Sequence, residues 1–191
     1  VKEIVFLVEE ESAKAMLNSL LPRLLPEGVF FRIVPFEGKR DLQAQMTRRI
    51  RAYRNPQARF VVLQDQDSHP DCRQLKHSLL RRCADSGRLG QCLVRIACSE
   101  LESFYLADLA AVERALGIAG LQRRQHSRKF RAPDGLANPS AELRVLTGHR
   151  YQKVAGSALI GEHLTVGNDR SASFGNLVAG VRRLSRELLT T

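Results

Sequence analysis

Three short apolar runs in this chain each end in carboxylates, and no other feature constrains the fold as much. Ile4 to Val8 runs into Glu9, Glu10 and Glu11. Phe60 to Leu63 runs through Gln64 into Asp65 and Asp67, and Cys92 to Cys98 runs through Ser99 into Glu100 and Glu102. Each run is too short for a core helix, so each predicts a strand buried on both faces. A fourth strand is expected over Val29 to Phe36.

Helical spacing fills the gaps between the runs. After Ser12, placed to cap a helix, Met16, Leu17, Leu20, Leu21 and Leu24 share one face until Pro26-Glu27-Gly28 stops them. Gly38 to Tyr53 predicts a second helix with a basic face of Arg48, Arg49, Arg51 and Arg54, closed by Asn55-Pro56. Asp71 to Asp85 predicts a third, with Cys72, Leu75, Leu79 and Cys83 in one stripe, and a fourth runs from Leu101 towards Leu116. Strands alternating with helices argue for right-handed crossovers and a Rossmann-like parallel sheet flanked by helices, an α/β fold.

Beyond Gly117 the alternation stops. Residues 1–117 are expected to form the α/β domain, and residues 118–191 a basic loop and a helical extension packed on it. Helices are expected over Pro139 to Leu146, Lys153 to Leu164 and Ser173 to Leu189, the last with an apolar stripe of Leu177, Val178, Val181, Leu184 and Leu188. A chain of 191 residues can bury one full core without staples. No apolar stretch approaches the ~20 residues that span a bilayer, and no signal-peptide pattern opens the chain, so a soluble cytoplasmic protein is expected. Cys72, Cys83, Cys92 and Cys98 match no zinc or redox spacing, and the five histidines are scattered, so free thiols and no zinc site are expected.

The formal net charge is +10, with 24 Arg and 6 Lys against 20 acids. Guanidinium forks suit phosphate, which points to a polyanionic partner. The densest run, Leu121 to Arg131, holds Arg123, Arg124, Arg128, Lys129 and Arg131. It reads either as a solvated face or as a flexible loop that neutralises backbone phosphates without reading sequence. With no Trp and few Tyr, an aromatic platform for single strands is not expected.

Parallel sheets bind ligands outside the carboxyl ends of their strands, where these acids fall. With side chains alternating along a strand, Asp65 and Asp67 should point the same way. Converging with Glu9, they would offer hard oxygen ligands to Mg²⁺ or Mn²⁺; the alternative is a set of solvated loop acids. Glu102 has a local reading too, since Ser99-Glu100-Leu101-Glu102 fits a capping box. Neither GxxxxGK[ST], GxGxxG nor GxSxG occurs, which argues against the nucleotide and hydrolase chemistries those motifs serve.

An acid after strand one and Asp-x-Asp after strand three resemble the Toprim fold of topoisomerases, primases, ribosomal RNA maturases and the overcoming-lysogenization-defect nucleases. Leu7-Val8-Glu9-Glu10, Val61 to Asp67 and Glu100 to Asp108 resemble more closely an uncharacterised bacterial Toprim-related family found beside ABC/SMC-type ATPases in phage-defence gene pairs. The Toprim likeness covers about residues 1–110, while Tyr151-Gln152-Lys153 and Asn168-Asp169-Arg170-Ser171 resemble only the narrower family. The resemblance implies Glu9 as the leading Toprim acid, Asp65 and Asp67 as a metal-binding pair, Glu102 as the later acid, and Lys153 as the late lysine of the related nucleases. Many Toprim nucleases follow the first Glu with Gly and place another acid four positions on, where this chain has Glu10 and Ala13. One metal is therefore implied, with a second only if Glu100 or Glu102 completes its shell.

The function these features imply is metal-dependent cleavage of DNA or RNA by the effector of an ATPase-coupled defence pair, with homodimerisation open. The competing readings are a nucleic-acid-binding adaptor that regulates the ATPase, and a Mg²⁺-binding phosphotransfer domain of flavodoxin-like layout.

Overall fold

The structure, a computed structural model, describes residues 1–190. Strands β1 (Glu3–Val8), β2 (Phe30–Pro35), β3 (Arg59–Asp65) and β4 (Cys92–Ala97) pair in parallel in the order β2-β1-β3-β4. Val8 sits opposite both Pro35 and Leu63, and Asp65 opposite Ala97, so the carboxyl ends are nearly flush. The chain leaves β1 to one side to build β2, then returns to its other side to build β3. That reversal places the topological switch point between β1 and β3.

The helices divide between the two faces. Helices α2 (Lys39–Arg51) and α3 (Cys72–Asp85) cover one face, where Leu42, Met46, Ile50, Leu79 and Cys83 pack on Val5, Leu7, Phe60, Val62 and Val94. These are the crossovers from β2 to β3 and from β3 to β4. Asp71 starts α3 by accepting from the N–H groups of Arg73 (2.7 Å) and Gln74 (3.3 Å), a cap that contributes about 1 kcal/mol.

The other face carries α1 (Glu11–Leu20), α4 (Glu102–Leu106), α5 (Leu109–Leu116), α6 (Pro139–Leu146), α7 (Lys153–His163) and α8 (Ala172–Thr190). They share one core with Ile4, Phe6, Val8, Val61, Leu63, Leu93 and Ala97. Helix α8 lies on β4, and its predicted stripe from Leu177 to Leu188 is buried. Helix α7 packs against α1 so closely that a Cβ on Gly161 would lie 2.6 Å from the Met16 carbonyl oxygen. Arg23 donates to the carbonyls of Gly161 (3.1 Å) and Leu164 (2.6 Å), ending α7 against the turn that follows α1. Residues 118–190 thus build much of one covering layer.

Several local expectations are corrected. Glu10, not Ser12, holds the N-cap backbone position of α1, and Ser12 is buried and donates to Glu10 instead. The helix stops at Leu20 and tightens into a 3₁₀ turn over Leu21–Arg23, ahead of Pro26. The helix expected from Leu101 to Leu116 breaks at Ala107 and Asp108. Asp108 accepts from Ala111 N–H (3.1 Å) to start α5 and from Thr165 N–H (2.8 Å) to tie in the chain after α7. The basic run from Leu121 is not a free loop: it makes a 3₁₀ turn, Gln122–His126, pinned by the buried Gln125 side chain. That amide accepts from Leu109 N–H and donates to the carbonyls of Leu106 and Phe130. Among the described residues no helix is long and apolar enough to cross a membrane.

Candidate functional site

The carboxylates meet at the switch point. Glu9 follows β1 directly, and its Oε2 accepts from the backbone N–H of Asp65 (3.2 Å), which stitches the ends of β1 and β3 together. Burial pushes the Glu9 carboxyl above its ordinary value; the charges of Asp67 and Glu10 add to the rise, and the Asp65 N–H and Lys39 oppose it. Asp65, the last residue of β3, is lifted further. Burial is the main cause, then the charges of Glu9 and Glu102, and the Leu101 N–H works the other way. The charges of Glu9 and Glu102 thus both reach Asp65.

Glu102 opens α4 and is only 1% exposed. It does not serve a capping box. Ser99 is held in the left-handed region (φ 58°), and its hydroxyl donates to the Leu136 carbonyl (2.7 Å). Glu102 instead accepts from the Tyr151 hydroxyl (2.9 Å), which also lies 3.2 Å from the Ser157 hydroxyl. Burial raises the Glu102 carboxyl, and the Tyr151 hydrogen bond and Lys153 hold the rise back. The Tyr151 ring fits here because α7 carries Gly156, where a Cβ would come within 2.6 Å of it.

Lys153 begins α7 and is half-exposed. Its ammonium lies 2.6 and 2.9 Å from the two Glu10 oxygens, one of which also accepts from Ser12 (2.8 Å). Burial opposes its charge, but Glu10 first, then Glu102 and Asp65, raise it above the ordinary lysine value. Glu10 thus ties a cation from the far end of the chain to the rim of the acidic group. Ala13, four positions after Glu9, faces the core and is 5% exposed.

Two of the expected ligands have cationic or backbone partners of their own. Strand β3 ends at Asp65, and Asp67 has left-handed backbone (φ 50°), so strand alternation no longer governs its side chain. Its carboxylate pairs with Lys39 at 2.7 Å, at the start of α2. Glu100 accepts from the Ser140 N–H (2.7 Å) in the first turn of α6, where a carboxylate suits the helix dipole. Among the described residues no three His, Cys, Asp or Glu side chains stand together as a ready metal cage. The chemistry of the donors nevertheless fits a hard divalent cation. Glu9 and Asp65 are oxygen donors whose mutual repulsion a cation would relieve, and Mg²⁺ commonly takes one or two carboxylates and fills its shell with water.

The expected nucleic-acid contacts Arg123, Arg124, Arg128, Lys129 and Arg131 are exposed around the turn that follows α5. Lys129 pairs with Glu142 (2.6 Å), and Arg124 lies over the buried Phe130 ring (5.7 Å). Lys39, Tyr151 and Ser157 were not singled out as site residues from the sequence, although Tyr151 stands in the quoted Tyr-Gln-Lys motif.

No curated protein matches the chain. Among solved structures it is similar in fold to the C-terminal region of the Burkholderia pseudomallei OLD protein. The TM-score is 0.52 at 18% sequence identity, over 96% of this chain and 98% of that one. Residues 8–182, from the last residue of β1 into α8, match the model of a domain of unknown function, DUF4276, and the chain belongs to that family.

Proposed function

We propose that the protein is a divalent-metal-dependent nuclease acting on DNA or RNA. The observation that carries this reading is the junction of Glu9 and Asp65 at the switch point of a parallel sheet, with the buried Glu102 near enough to act on Asp65, in a chain of net charge +10. The fold likeness to the OLD protein's C-terminal region supports it, in keeping with the resemblance to the overcoming-lysogenization-defect nucleases.

Glu9 and Asp65 would hold Mg²⁺ or Mn²⁺, which when bound supplies polarisation of a phosphodiester and a more acidic water. Glu102, held by Tyr151, keeps a third carboxyl beside them to take up or release a proton. Lys153 and Lys39 flank the group and would neutralise the charge of a bound phosphate in place of Glu10 and Asp67. The arginines at 123, 124, 128 and 131 would hold the backbone of a longer strand. An ABC/SMC-type ATPase partner, a role in phage defence and a possible homodimer extend this reading through the resemblance alone.

The test is ion binding by calorimetry together with cleavage of a DNA and RNA panel in Mn²⁺. Glu9→Gln and Asp65→Asn should each abolish ion binding and lower cleavage by about 100-fold or more. Cleavage that survives in both variants would overturn the reading. Tight nucleic-acid binding by a wild type that binds no ion would assign the protein to the adaptor class instead.

A further inference from the structure

A cavity of about 790 Å³ is a groove along β1 and β2 on the α2 side of the sheet, and the nuclease reading makes no use of it. Helix α2 packs on β1 and β3, and beside it the half-buried Val34 of β2 lines the groove, with Val5 and Leu7 buried beneath. Arg32, Arg48, Arg49 and Arg54 stand around it against a single acid, Glu3. Glu3 is already engaged by the Tyr53 hydroxyl (2.9 Å) and Arg32 (3.5 Å). Among the described residues neither Arg48 nor Arg54 has an acidic partner.

The groove borders an open sheet edge. Phe30 N–H donates to Lys2 and Phe36 N–H to Val8, so the even-numbered residues of β2 turn their backbone groups towards β1. Phe31 and Ile33 therefore turn theirs outward, where no further strand lies. Phe30, on the groove face, is 62% exposed. An edge with free donors and acceptors, beside the exposed Phe30 and the half-buried Val34, suits an extended polypeptide, which can continue the ladder and lay alternate side chains along the groove. A second copy of this chain is disfavoured, because it would set four arginines against four arginines. A nucleic-acid strand could meet the arginines but cannot continue a backbone ladder.

The geometry points to β2 and the arginine groove beside it as a docking site for an extended acidic segment of a partner protein, with carboxylates alternating with aliphatic side chains. The inference stands apart from the nuclease reading, since it uses none of the carboxylate residues.

A random twelve-residue peptide library selected on the full chain tests it. Peptides rich in Asp and Glu, with aliphatic residues between them, should be enriched. In fluorescence anisotropy they should bind R48E/R54E at least tenfold more weakly than wild type, and D65N as tightly as wild type. Peptide binding should also slow hydrogen exchange at the Phe31 and Ile33 amides. Both exchanged arginines are exposed, so the double variant should keep its unfolding midpoint, and a matching loss in Phe30→Ala would place the peptide without altering charge. Three results would each overturn the inference: no acidic enrichment, binding indifferent to R48E/R54E, or a twelve-nucleotide single strand that requires these arginines when no peptide is retained.

Discussion

The two layers that sandwich the sheet are built on different plans. The layer of α2 and α3 is made of consecutive crossovers, and each helix packs on strands adjacent to it in sequence. The opposite layer joins α1, near the start of the chain, to α7 and α8, near its end, and it supplies Tyr151, Ser157 and Lys153 to the carboxylate site. The first layer stabilises the sheet and sends only Lys39, through Asp67, to the rim of the site, while the second also holds Glu102 and Glu10. Damage to the two should therefore separate.

Removal of everything after residue 149 should have the largest effect. It strips α7 and α8 from the core that Met16, Leu17 and Leu93 share, and the remaining chain should show no cooperative unfolding transition by calorimetry. Leu79→Ala, in the α2 and α3 layer, should cost about 2–5 kcal/mol in urea unfolding yet leave ion binding at Glu9 and Asp65 unchanged. Gly161→Ala drives a methyl against the Met16 carbonyl, a backbone atom that cannot rotate away. It should cost about 1–3 kcal/mol and also weaken ion binding, because α7 carries Lys153. Equal effects of these two substitutions on ion binding would erase the distinction between the layers.

Tyr151→Phe is narrower. It leaves the buried Glu102 oxygen without its donor, at a cost of about 1–3 kcal/mol, and should raise the Glu102 carboxyl still further, read as a shifted side-chain titration by NMR. Asp65→Asn should show the smallest effect and the opposite sign. A carboxyl raised by folding contributes stability while protonated, below its unfolded value of about 3.9, and loses that contribution as pH climbs through its folded value. At pH 7 in a chelator the variant should unfold above wild type, by roughly 2–4 °C for each kcal/mol of repulsion relieved, with the gap closing towards pH 4. Added Mn²⁺ should raise the wild-type midpoint alone.

The same contrast explains what could be read from the sequence. Strands β1 to β4, and α2 and α3, announce themselves through short apolar runs, helical stripes and local stops such as Asn55-Pro56, because each packs on neighbours in the chain. The strand ends then bring Glu9 and Asp65 together once the crossovers are recognised. The break between α4 and α5 leaves no such trace: Leu101 to Leu116 has a continuous helical pattern, and the second oxygen of Asp108 is claimed by Thr165, 57 residues away. Glu102 misleads for a similar reason, since its local spacing fits a cap whereas its partner Tyr151 is 49 residues distant. Asp67 escapes the strand rule through a left-handed turn that fixes it on Lys39.

The close crossing of α1 and α7 also sets an order of events at the ribosome. At roughly 5–20 residues per second, translation takes on the order of 10 s to pass from the end of α1 to the end of α7. Over that interval the face of α1 that carries Met16, Leu17 and Leu20 lacks the α7 surface it packs on. Glu10 likewise has no Lys153 to meet. The acidic site thus gains its tyrosine and lysine only after the whole sheet has been made.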